Sequence, residues 1–196
     1  MKIEIPDSLR VGIDTAVAKT TASADAVRAT RLRLDEIESE QEKSLGKALA
    51  IGAIEIPNEK QITELIVAEK RRDLLGQRLM KLGNEIETQK TALVRDIGEA
   101  NELFRRSASK PLAEEMKRQL IESLPPSVKS NDHLIVSIWA GSVEIRALGA
   151  FLNSPLPSHR DDAETILAAA DRILILLRDL LAGNDISAVA AAGVAA

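Results

Sequence analysis

Two histidines are the residues of this chain most suited to binding a metal ion or moving a proton. His133 follows Asp132, and His159 lies close before Asp161 and Asp162. Imidazole and carboxylate groups are common ligands of zinc and other divalent metals. Each histidine falls in the first turn of a separate predicted helix, and the starts of two antiparallel helices of this length lie roughly 30 Å apart. We therefore predict isolated, solvated histidines and no metal site.

The serines and carboxylates lack the sequence context that catalysis requires. Ser137, Ser142 and Ser158 stand outside any Gly-x-Ser-x-Gly turn, and neither a glycine-rich phosphate loop nor a cysteine occurs. Five acids between Asp35 and Glu42 form a run that is typical of the solvated face of a helix. A general acid–base pair would need surroundings that perturb its pKa values. The sequence predicts no enzyme, no cofactor and no small-molecule substrate.

Basic clusters at residues 28–33, 70–72 and 105–106 bear on nucleic-acid binding. The formal net charge of −4 argues against broad phosphate neutralisation, and a helix would place these clusters on salt-bridging faces. Residues 1–40 nevertheless resemble a ribbon-helix-helix DNA-binding unit, with a short strand, a helix, a break near residues 20–23 and a second helix. In that family the outward residues of the strand contact the major groove. Lys2 fits this role and Glu4 departs from it. The resemblance implies a DNA-binding regulatory module as the alternative function.

The first of two long helical patterns begins at Asp7. Apolar or small residues recur mostly at intervals of three, four or seven, at positions 13, 17, 20, 24, 27, 34, 37, 45 and 48. This spacing predicts a helix with one buried stripe. Poor helix formers at residues 19–23 leave two alternatives. The segment forms one helix to about Ala53, or a short helix followed by a longer one.

The second long pattern begins after Pro57, where Asn58 and Gln61 have the spacing of a capping box. Its heptad frame contains mostly leucine, isoleucine and alanine, at positions 65, 68, 75, 79, 82, 86, 93, 100 and 103. Arg72, Gln89 and Asp96 interrupt that frame. Polar seam residues of this kind lower stability and can specify register or partner number. We expect this helix to end near residues 107–111.

These patterns predict an all-α fold, a long antiparallel coiled-coil helical hairpin followed by a small helical bundle. An aromatic content of 2%, against 45% hydrophobic residues, also favours helices over sheets. The expected parts are an extended arm at 1–6, the hairpin at 7–107 with its turn near 54–58, the bundle at 108–182, and a flexible or docking tail at 183–196. Within the bundle we predict helices over about 109–124, 131–152 and 158–182, with Trp139 and Phe151 in the core and Gly183 as a stop.

Part of the arm is repeated later in the sequence. Residues 3–6 (Ile-Glu-Ile-Pro) recur at residues 54–57, and this repeat is called the echo. A hairpin places the two copies at opposite ends, so they could meet only between molecules, or each could serve locally as a helix entry. We expect a non-catalytic structural or assembly protein, an oligomeric helical scaffold or spacer that binds protein partners and itself. The sequence suggests no signal peptide and no membrane span. A cytoplasmic protein, or part of a particle assembled inside the cell, is the expected localisation.

Overall fold

The computed structural model describes residues 5–54, 56–142, 146, 148–149, 152–153 and 155–184, and all regular secondary structure within them is helical. Five helices have both ends in this part of the chain: α1 (Asp7–Gly52), α2 (Glu59–Ser123), α3 (Pro126–Lys129), α4 (Asp132–Gly141) and α5 (Ala163–Ala182). Helices α1 and α2 pack against each other, and a smaller helical part follows. The predicted all-α fold, a long helical hairpin and then a small helical bundle, is confirmed.

The turn between α1 and α2 follows from local chemistry. The Asn58 side chain accepts a hydrogen bond from the Gln61 N–H at 2.9 Å, and the Gln61 side chain accepts one from the Asn58 N–H at 2.8 Å. This reciprocal pair satisfies two backbone donors at the start of α2. The predicted capping box is therefore present. Residues 1–4 and Glu55 lie outside the described part of the chain, so each of the two copies of the echo is described only in part.

Helix α1 is continuous through the weak segment at residues 19–23. Thr20 and Ala24 are fully buried, and the Thr20 hydroxyl lies 3.5 Å from the carbonyl oxygen of Asp96 on α2. Helix propensity is a weak preference, so the packing of this buried stripe outweighs the low helix propensity of the threonines. The single-helix alternative is correct, and the break on which the ribbon-helix-helix resemblance relied is absent.

Helix α2 runs past the end predicted near residues 107–111 and continues to Ser123, with Pro111 inside it. Proline has no N–H, so the carbonyl of Ser107 lacks its usual partner four residues on. Ala108 and Leu112, on either side of the proline, are both fully buried. Burial of these side chains holds the chain helical where the local sequence favours a stop. The end at Ser123 is set by the next prolines, Pro125 and Pro126, as predicted.

The C-terminal helices begin at capping side chains of the expected type, but α5 begins at Ala163 after the cap Asp162, later than the predicted start near residue 158. The extent of α4 also differs from the prediction. The Asn131 side chain accepts from the Leu134 N–H, and that of Asp162 accepts from the Thr165 N–H. The helix expected over 131–152 is interrupted after Gly141 by Ser142, which is extended with ψ of 157°, and the described residues 146, 148, 149 and 152 are again helical. Gly183, with φ of 68°, ends α5 in the left-handed conformation that glycine adopts without strain.

The described residues form two compact units. One lies within residues 1–22 and 93–196 and is called the three-helix unit, because its core is built by α1, α2 and α5. The other, residues 23–92, is the hairpin unit. In the three-helix unit the largest buried side chains come from three helices, and include Ile13 of α1, Phe104 of α2 and Leu177 of α5. The broad apolar face of α5 is buried, whereas Trp139 on α4 is only half-buried. Phe151 and the tail from residue 185 lie outside the described residues.

Candidate interaction surfaces

The hairpin unit is held by a seam with heptad spacing, and its α2 positions are those that the sequence predicted. On α1 the prediction is wrong at Leu45, which is 41% exposed, because the buried position is its neighbour Ser44. The side chains of the seam are buried or half-buried, whereas almost all of their neighbours in sequence are exposed. The part of the seam nearest the turn consists of residues 34, 37, 41, 44, 48 and 51 of α1 and residues 61, 65, 68, 72, 75, 79 and 82 of α2. Many of these side chains are small or polar, such as Ser44, Ala48 and Ala68. Such a seam buries little apolar surface per turn, and so the hydrophobic stabilisation per turn is modest.

A groove opens along one side of this seam, near the turn. The groove is open to solvent and has a volume of about 830 Å³. Its charged lining residues include Lys43, Lys47 and Glu64, and its apolar ones include Ile51 and Val67. Across the groove, Arg71 Nη2 lies 3.3 Å from Glu40 Oε2. Both side chains are at least half exposed, so solvent screens the pair and it adds little stability. Cavities of this volume are large enough to hold several side chains of a partner.

Large aliphatic side chains are exposed around the same end of the hairpin. Seven of them lie within residues 45–67, with exposed fractions from 38% to 88%: Leu45, Leu49, Ile54, Ile56, Ile62, Ile66 and Val67. Single exposed aliphatics are ordinary on protein surfaces, whereas a group of them marks a contact with another molecule. The heptad frame did not draw attention to this group. Apolar residues outside the seam positions were the signal in the sequence that could have revealed it.

The polar residues that interrupt the predicted seam are placed within it. Asp96 is 3% exposed in the three-helix unit, where its carboxylate lies 3.7 Å from Lys19 Nζ and 3.3 Å from Arg95 Nη2. A hydrogen bond to Glu99, at 2.8 Å, raises the pKa of Lys19. In the hairpin unit, Gln89 buries an amide oxygen that has no hydrogen-bond partner among the described residues. Buried polar groups of this kind lower the stability of a helical seam relative to apolar residues.

The residues considered for catalysis or metal binding are dispersed. His133 and His159 are exposed, and within the described residues no group of three histidine, aspartate or glutamate side chains could hold a metal ion. Ser158 and Asp161 form the turn before α5, where the Asp161 side chain accepts from the Ser158 N–H at 2.8 Å. Ser142 is the C-cap of α4. Ser142, Ser158 and Asp161 therefore each have a local structural role at a helix end or in a turn.

The charged clusters belong to solvated faces, as expected. Arg28 pairs with Asp25 at 3.0 Å, Arg72 with Asp73 at 3.5 Å, and Arg106 with Glu102 at 2.9 Å. No helix in the described part of the chain is both long and apolar enough to cross a membrane. Searches for related proteins found no matching family model, no matching curated protein and no matching solved structure.

Proposed function

We propose that this chain is a non-catalytic structural or assembly protein, an oligomeric helical scaffold or spacer that binds protein partners through the hairpin. The observation that carries the proposal is the group of exposed aliphatic side chains near the turn, led by Ile56, Leu49 and Val67 at 88%, 65% and 60% exposure. Leaving this surface in water is unfavourable, and burying it against protein would release about 25 cal/mol per Å².

The form of the hairpin supports the same function. An antiparallel helix pair is stiff along its length, because each helix is hydrogen-bonded internally and supported by its neighbour. The seam residues Arg72 and Gln89 weaken the pair and restrict its register. A spacer needs this combination of stiffness and selectivity, whereas an enzyme needs a concave site with convergent polar groups. We propose no catalytic residue and no cofactor.

Light scattering on the full chain tests the proposal. The mass should rise above the 21.2 kDa of one chain at micromolar concentration. Adding a mixed-sequence DNA duplex should leave the mass unchanged. A single-chain mass throughout the accessible concentration range would contradict the scaffold. Tight duplex binding that weakens steeply with salt would instead support a DNA-binding regulatory module.

A further inference from the structure

The seam divides the surface of the hairpin unit into two opposite faces. In an antiparallel helix pair, residues that directly follow seam positions lie on one side of the pair on both helices, and residues that directly precede them lie on the other. The groove confirms this division, because its rim residues Glu40, Lys43, Lys47, Glu64 and Arg71 all directly precede a seam position. The side of every other exposed residue near the turn follows from the same rule.

The two faces carry charge of opposite sign. Along the seam from 34 to 51 and from 61 to 82, the acidic face has five acids and no cation: Asp35, Glu38, Glu42, Glu69 and Asp73. The basic face has seven cations: Arg33, Lys43, Lys47, Lys60, Arg71, Arg78 and Lys81. Against these cations stand three acids, Glu36, Glu40 and Glu64. All fifteen side chains are exposed. Only Asp73 on the acidic face is paired within the chain among the described residues, with Arg72 of the seam.

The exposed aliphatic side chains near the turn are also distributed unequally between the two faces. Leu45, Leu49, Ile62 and Ile66 follow seam positions and therefore stand on the acidic face, with exposed fractions from 41% to 65%. The basic face has the groove of about 830 Å³, with Val67 among its lining. The acidic face thus offers protruding aliphatic side chains among acids, and the basic face offers a groove edged by three cations and two acids, with Val67 and Leu74 exposed on the same side. The net charges of the two faces are opposite in sign, as they are across electrostatically complementary interfaces.

We propose that the acidic face of one chain docks on the basic face of a second copy, so that hairpins stack head to tail. This rests on the proposed scaffold function and identifies the surface that performs it. A two-fold dimer through either face would bring charges of the same sign together, which is unfavourable. When the acidic face of one chain contacts the basic face of another, one acidic face and one basic face remain free at the two ends of the pair. Further chains can therefore add at either end, which produces an open stack or a closed ring.

A complementation experiment tests the proposal. Leu49→Lys with Ile66→Lys disables the acidic face, and Lys43→Glu with Lys47→Glu disables the basic face. Lys43 and Lys47 are exposed and have no ion pair in the described part of the chain, so their reversal breaks no ion pair there. Each double variant alone should fall to the single-chain mass in light scattering. An equimolar mixture should return to twice that mass, because each variant keeps the face that the other has lost.

Matched controls separate docking from folding. Leu32 is 64% exposed, against 65% for Leu49, and adjoins no seam position, so Leu32→Lys should assemble as the wild type does. Lys70→Glu is the corresponding control for charge reversal on the outer surface of α2. All variants should keep the helical circular dichroism of the wild type. If the first acidic-face variant loses that signal, Glu38→Lys with Glu42→Lys replaces it.

The outcomes are distinguishable. A wild-type chain that stays at single-chain mass overturns both the scaffold function and this contact. A wild-type oligomer whose two double variants still assemble leaves the function standing and overturns the docking faces. Variants that are each single chains and do not associate when mixed overturn the head-to-tail geometry. Restoration of a two-chain mass in the mixture supports it.

Discussion

At the scale of single residues, the clearest link between sequence and structure is the capping of helix ends. Asn58, Asn131 and Asp162 each accept a hydrogen bond from a backbone N–H three residues on. These contacts depend only on residue type and spacing, so they can be identified without a tertiary structure. The start of α4 and the capping box of α2 were predicted for this reason, whereas α5 begins a few residues after its predicted start near Ser158.

Replacing Asn58 with alanine should lower the free energy of unfolding by about 1 kcal/mol, because the Gln61 N–H loses its side-chain acceptor, whereas the backbone N–H of residue 58 can still donate to the Gln61 side chain. Chemical denaturation monitored by circular dichroism measures this change. Asn58→Asp is the matched control and should remain close to the wild type, since aspartate caps helices equally well. Equal stability of the alanine variant would show that the turn needs no side-chain cap.

Acid should weaken the start of α5. The hydrogen bond from the Thr165 N–H holds the pKa of Asp162 below its usual range. A lowered pKa means that the charged cap stabilises the fold above the usual value, about 4, and that this stabilisation is lost as the pH falls through the lowered value. Asp162→Asn should show a smaller loss of melting temperature between pH 5 and about 3 than the wild type.

Asp162→Ala provides the comparison, because it lacks a cap at every pH. Its melting temperature should lie below that of the wild type at pH 7, and the difference should shrink as the pH falls. A wild type and an Asp162→Asn variant with parallel acid profiles would show that this carboxylate does not contribute to the acid sensitivity of the chain.

At the scale of elements, burial decides what local propensity leaves open. Thr20 is fully buried within a continuous α1, and Pro111 lies inside α2 between the fully buried Ala108 and Leu112. Low helix propensity costs up to about 0.7 kcal/mol for an ordinary residue and about 3 kcal/mol for proline, whereas each buried aliphatic side chain is worth about 1.5–3 kcal/mol. Tertiary packing can therefore extend a helix across a weak segment.

The neighbouring leucines Leu75 and Leu74 test the seam directly. Leu75 is 4% exposed and Leu74 is 61% exposed. Leu75→Asp should lower the free energy of unfolding by more than about 2 kcal/mol, since it removes apolar packing and buries a carboxylate. Leu74→Asp, the same change one residue away, should have less than half that effect. Equal effects in thermal melts would contradict the assigned seam.

Pro111→Ala should stabilise α2 by about 1–3 kcal/mol, because alanine supplies the missing N–H to the carbonyl of Ser107 and removes the clash of the ring. Urea denaturation measures this change, with the exposed substitution Lys110→Ala as a control of small effect. A destabilised variant would show that packing around Ala108 and Leu112 depends on the local geometry that the proline imposes.

At the scale of the whole molecule, assembly should respond to salt and to concentration. A docking contact between acidic and basic faces weakens as salt screens its charges, whereas its apolar part persists. The average mass in light scattering should therefore rise with protein concentration at low salt. It should decrease, without returning fully to 21.2 kDa, as the salt is raised to about 0.5 M. A mass that increases with salt would indicate a contact that is mainly apolar.

The sequence by itself determined the class of fold, the hairpin, its turn at Pro57 and the frame of the seam, because heptad spacing and capping chemistry are local properties. It also contained the division of charge between the two faces, which becomes visible once the seam is known. Only the tertiary structure decided that α1 is unbroken and that α2 continues past Pro111. It also showed the groove near the turn and the aliphatic side chains left exposed there. These features depend on which surfaces are buried, and burial is set by contacts between residues that are far apart in the chain.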